Sequence, residues 1–193
     1  MHSALLARLL LLIAALGAAA PAAAQYDPQA TQQAQREAML PLQFMDGVWR
    51  GPAWTLLPNG EKRHLVQTER IGPFLQGTIR VIEGRGYLDD GRVGFNALGI
   101  VSYDAAKKTY SMRSYALGHA GDFAFRPSAD GYAWEVPAGP KATIKYVATV
   151  RDGTLHEVGD RILPGKDPVR FFEMTLRRVG DSDWPTAGAI GPK

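Results

Sequence analysis

The clearest periodicity in the chain has a repeat of two. Ile144, Tyr146, Ala148 and Val150 alternate with Thr143, Lys145 and Thr149, and Phe172, Met174 and Leu176 alternate with Glu173, Thr175 and Arg177. Side chains on an extended backbone point to opposite faces in turn, so each pattern predicts a strand with one apolar face. Runs of β-branched and aromatic residues continue from residue 48 almost to the end. They are separated by turn signals: Pro58-Asn59-Gly60, Asp89-Asp90-Gly91, Asp130-Gly131, Asp152-Gly153 and Pro164-Gly165. Gly, Asn and Asp tolerate the positive φ that tight hairpins need. The runs predict strands at 49–57, 63–71, 76–83, 93–103, 109–117, 122–125, 132–136, 142–150, 154–162 and 169–179. No helix-length segment lies between them, which argues against a parallel βαβ sheet.

Not every run alternates cleanly. Between Arg63 and Ile71, Gln67 and Glu69 share a face with Leu65, while His64 and Thr68 share one with Val66. A sandwich would keep one face of each strand dry, whereas a barrel with a partly polar interior accommodates this mixture. The expected fold is therefore all-β, a roughly ten-stranded antiparallel barrel. Asp27 to Met45 is the one helical stretch: Asp27 is placed to cap it, Pro28 suits its first turn, and Pro41 should end or kink it. The expected organisation is an N-terminal helix or strap at 25–46, the barrel at 47–184 and a disordered tail at 185–193. The Pro-, Gly- and Ala-rich tail begins at Trp184.

The first 24 residues read differently. Arg8 precedes an apolar run, Leu9 to Ala20, that is shorter than the roughly 20 residues of a membrane span. Pro21 and three alanines follow, so a signal peptide over 1–24 with cleavage before Gln25 is expected, giving a secreted or periplasmic protein without a membrane span. The 193-residue chain has no cysteine, which removes disulfides, thiolate metal sites, cysteine nucleophiles and a lipid-modified cysteine from consideration. Its formal charge of +3, from 22 basic and 19 acidic side chains, is too balanced and dispersed to suggest a nucleic-acid partner.

Gly47-Val48-Trp49 opens the first strand as Gly-x-Trp, and Leu176-Arg177-Arg178-Val179 closes the last. This resembles the lipocalins and their relatives in the calycin superfamily. The resemblance implies that Trp49 plugs one end of the barrel and that Arg178 packs on its indole, a cation–π contact of about 1–2 kcal/mol when partly desolvated. More narrowly, Phe44 to Gly51, Thr68 to Phe74 and Arg170 to Met174 are similar to an exported bacterial lipocalin-like family of unassigned function. Nitrobindin-type haem proteins of the superfamily carry further glycines after this Trp, where Pro52 and Ala53 follow Gly51 here. No cofactor is expected on that ground; the alternative is haem held by His119.

Glutamate is disfavoured in strands, yet Glu69, Glu83, Glu135, Glu157 and Glu173 all fall in or at the ends of strands. One reading turns some of them into the barrel to pair with Arg80, Arg113 or Arg161 near Tyr115, Glu69 with Arg113 being the preferred pair. The other makes them cross-strand partners of basic residues on the wet face. Ligand-binding candidates are Glu69, Arg80, Arg113, Tyr115 and Trp54, with Gly47, Trp49 and Arg178 as the structural signature. The aromatic residues Trp54, Phe74, Phe95, Tyr103, Tyr110, Tyr115 and Trp134 either wall a ligand cavity or fill a core. No histidines stand at metal-ligand spacing and no Gly-x-Ser-x-Gly elbow is present, and Gly84-Arg85-Gly86 lacks the rest of a dinucleotide fingerprint. The resulting expectation is a domain that binds a small apolar or amphipathic ligand. The alternatives are a hydrolase or isomerase using a Glu/Arg/Tyr cluster, or an envelope interaction module.

Overall fold

A computed structural model describes residues 27–184. The expected leader, its cleavage site before Gln25 and the tail at 185–193 lie outside the described residues. The helix α1, Pro28–Met39, starts where the sequence places it: the Asp27 carboxylate accepts the backbone N–H groups of Gln29 at 2.9 Å and Ala30 at 3.2 Å. Pro41 has no N–H to continue the helix, and the chain tightens into a 3-10 turn, Leu40–Met45.

Ten strands follow: β1 Gly47–Leu56, β2 Lys62–Phe74, β3 Ile79–Tyr87, β4 Val93–Asp104, β5 Thr109–Ala116, β6 His119–Pro127, β7 Gly131–Pro137, β8 Thr143–Arg151, β9 Thr154–Ile162 and β10 Val169–Gly180. Each pairs antiparallel with its neighbour in sequence, and β1 closes on β10, so the sheet is one closed barrel without a free edge. Short connections suffice for this order. Asp152 and Gly153, both at positive φ, form the two-residue loop between Arg151 and its partner Thr154. The third strand differs from expectation at both ends. Leu75 and Gln76 adopt left-handed backbone in a short turn, which delays β3, and the strand then runs on through Gly84 and Gly86.

One end of the barrel is packed shut. Met39, Leu42, Met45, Trp49, Ile71 and Leu176 are all essentially inaccessible, and fully burying each large side chain contributes roughly 1.5–3 kcal/mol. Hydrogen bonds seat the helical segment on this plug. The Trp49 indole N–H donates to the Met45 carbonyl at 2.9 Å, and the Tyr110 hydroxyl donates to the Ala38 carbonyl at 2.7 Å. The Arg80 guanidinium, 2 % exposed, pairs with Asp46 at 2.7 Å and also donates to the Met39 carbonyl. Beyond β10 the described chain continues to Trp184, the residue at which the Pro-, Gly- and Ala-rich tail begins. Its indole meets Phe74 edge-on at 5.3 Å, with the Arg70 guanidinium 4.9 Å over its ring.

Candidate functional site

Register decides which candidate residues look inward. On β5, Met112 and Ser114 pair with the inward-facing Val101 and Gly99 of β4, so Arg113 and Tyr115 face outward. Arg113 pairs there with Asp122 at 2.6 Å and with the Tyr115 hydroxyl at 2.9 Å. The expected inward pair of Glu69 with Arg113 is therefore not formed: the two residues lie on opposite faces of the barrel wall. For the same reason Glu69, Arg113 and Tyr115 do not come together in the interior. Trp54 also lies on the outer face, with Lys62 Nζ 3.6 Å above its ring. Arg80 does point inward, but at the plugged end, where Asp46 and the Met39 carbonyl engage all three guanidinium nitrogens.

The other glutamates separate by the same rule. Glu83 pairs outside with Arg85, Glu135 with Arg126, and Glu173 with His156, which holds the Glu173 carboxyl below the usual range. Arg178 is the cross-strand partner of Trp49, but it reaches over Gly47 and donates to the Asp46 carbonyl. Among the described residues the cation–π contacts involve Trp54, Trp184 and Tyr115, not Trp49. His119 begins β6 on the exposed rim. It lines a wide outer concavity of about 820 Å³ together with Arg85, Leu98, Tyr115 and Leu117.

Two glutamates remain inside. Glu69 on β2 and Glu157 on β9 are only 8 % and 7 % exposed. Gln67 donates to Glu69 Oε1 at 2.7 Å, and the Tyr132 hydroxyl donates to Glu157 Oε2 at 2.8 Å, with the Trp134 indole near the same carboxyl. No cation among the described residues pairs with either. Burial without a counter-charge disfavours ionisation, so the Glu157 carboxyl is pushed up to about 7 and the Glu69 carboxyl to about 8. The charge of Glu157 is among the influences that raise Glu69, as is that of Glu83 outside.

The wall around them is built in two textures. On β3, glycines clear space: a Cβ at Gly84 would stand 2.8 Å from Glu69 Oε1, and one at Gly86 would stand 3.0 Å from Gln67 Oε1. Across the barrel, β6 to β8 and β10 supply rings. Trp134 stacks on Tyr146 at 4.3 Å, Phe123 lies 5.8 Å from Trp134, and Phe172 meets Tyr146 at 6.1 Å. These four face inward by register, yet each is half-buried and not sealed. Phe95, Ala97, Ser114 and Ala116 behave likewise. Toward the end away from the helix the inward side chains of the barrel are thus part-exposed, with the carboxyls between them and the plug.

Tyr132 and Tyr146 are not among the residues that the sequence singles out, and Glu157 is there only as one of five strand glutamates. The sequence signal for Glu157 is the face it shares with Leu155 and Gly159. The two tyrosines each repeat the inward phase of their strand.

No family model matches the sequence, and no curated protein matches it. The fold does have a solved counterpart. The crystal structure of Rv2717c from M. tuberculosis superimposes with a TM-score of 0.53 at 10% identity, covering 75% of this chain and 96% of that one. At that identity the likeness shows a shared barrel fold and nothing of the site.

Proposed function

We propose that this protein is a lipocalin-like carrier or receptor that holds a small amphipathic molecule in the barrel lumen, outside the cytoplasm after loss of residues 1–24. The observation that carries the reading is the state of the inward rings. In a solid barrel, Trp134, Tyr146, Phe123 and Phe172 would be sealed; here they face the interior and still reach solvent. Ligand sites combine such apolar walls with a few placed polar groups, and Glu69, Glu157 and Tyr132 are those groups at the lumen floor. The closed sheet and the plug under the lumen leave the end away from the helix as the route of access. No helix among the described residues is long and apolar enough to cross a membrane.

The experiment is uptake of a neutral fluorescent apolar probe, N-phenyl-1-naphthylamine, read by energy transfer from tryptophan. Uptake that disappears on filling the lumen with Ser114→Trp supports the reading. No uptake, or uptake unchanged by that substitution, overturns it.

A further inference from the structure

Among the described residues, the lumen floor holds two acids and no base. Glu69 Oε2 has no hydrogen-bond partner among the described residues, where no fully buried side-chain oxygen goes unpartnered, so this oxygen reaches solvent although the residue is only 8 % exposed. Arg80, one strand away, cannot supply the missing charge because its guanidinium is saturated by Asp46 and the Met39 carbonyl. Arg161 has the inward phase on β9 but sits exposed at the rim, opposite Ile144. Independently of the acids, Trp134 and Tyr146 form a stacked pair that faces inward and is only half-buried. A ring face is electron-rich and attracts cations, and the attraction grows as water is excluded.

We infer that the lumen takes an organic ammonium ion, its charged head set between Glu69 and Glu157 and its apolar body resting on Trp134 and Tyr146. This rests on the lumen reading above and adds the sign of the ligand's charge. An anion would be repelled by the floor. A neutral molecule would gain the apolar wall but leave the carboxyls without a counter-ion. A protonated amine supplies both the donors that Glu69 Oε2 lacks and the charge that buried carboxylates need.

Binding should be linked to protons. Below neutrality both floor carboxyls carry a proton, so the incoming ammonium must drive one off to water, and affinity should rise as pH rises through the carboxyl range. The other groups facing this floor do not compete for that proton. Tyr132 and Tyr146 are held further toward their neutral forms by burial, Arg80 and Asp46 neutralise each other, and Glu83 acts only from the outer face.

The test displaces bound N-phenyl-1-naphthylamine with 2-phenylethylammonium or with its uncharged counterpart 2-phenylethanol. The ammonium should bind at least roughly tenfold more tightly than the alcohol at about pH 8.5, and its advantage should shrink severalfold at about pH 6. Glu69→Gln and Glu157→Gln should each abolish most of that advantage, read as the ratio of ammonium to alcohol affinity. Each replaces a protonated acid with its isostere, and having two variants guards against one failing to fold. If the naphthylamine binds in the lumen but alcohol and ammonium displace it equally well, the ammonium assignment is wrong and the lumen stands. If the naphthylamine does not enter, both fall together.

Discussion

The barrel buries ionisable side chains at two places, and it treats them in opposite ways. At the plugged end, Arg80 lies under the helix with Asp46 against it and a backbone carbonyl on its third nitrogen. In the lumen, Glu69 and Glu157 are buried almost as deeply with hydrogen bonds from Gln67 and Tyr132 but no opposite charge. A buried charge is tolerated when paired, and an unpaired acid under the same conditions gives up its charge. The first arrangement is complete and structural. The second is complete only for the protonated form, which leaves it responsive to whatever enters.

Breaking the structural pair should have the larger consequence. Arg80→Met removes the latch that ties β3 to the helical segment and leaves the half-buried Asp46 without its partner. A loss of about 3–5 kcal/mol is expected, read as a lower denaturant midpoint at neutral pH. A loss under about 1 kcal/mol would mean that the apolar plug holds the helix unaided.

Glu69→Gln should act in the opposite direction and only at higher pH. The folded protein keeps the Glu69 proton up to about 8, whereas the unfolded chain releases it near the ordinary value of 4.5. The group's stabilising effect is thus fully present below that ordinary value and is lost as pH climbs through the folded value. The variant has no proton to lose. It should match the parent in acid and exceed it by about 2–4 kcal/mol at alkaline pH. Thermal melts across the range check this, and parallel pH profiles for the two proteins would show that Glu69 ionises freely.

The smallest effect is expected on the outer wall. Arg113→Ala removes a wet ion pair with Asp122, and neither stability nor lumen binding should change measurably. A measurable loss of ligand uptake would place Arg113 in the function despite its outward direction.

This contrast between the two buried sites was only half legible in the sequence. The strands, their turns, the Asp27 cap and the break at Pro41 are local, and local chemistry specifies them. The polar interior was visible too, in the shared face of Leu65, Gln67 and Glu69. What failed was the phase of β5. Ser111, Met112, Arg113, Ser114 and Tyr115 carry little contrast between alternate positions, and a one-residue error there moves Arg113 and Tyr115 through the wall. The Arg80–Asp46 latch joins residues far apart in sequence and exists only once the barrel closes over the helix. Gly84-Arg85-Gly86 lacks the rest of a dinucleotide fingerprint, and in the fold Gly84 and Gly86 make room for Glu69 and Gln67 of β2, a role set by the register between β2 and β3.

The central claim is that the lumen keeps two carboxyls without a counter-charge until a cation arrives. Carbon-13 NMR titration of the glutamate side-chain carboxyls measures this directly, with Glu69→Gln and Glu157→Gln used to assign the resonances. Two resonances should titrate with midpoints near 7 and 8, and both should move down when 2-phenylethylammonium is added. Midpoints in the ordinary carboxylate range for Glu69 and Glu157 in the free protein would contradict the account.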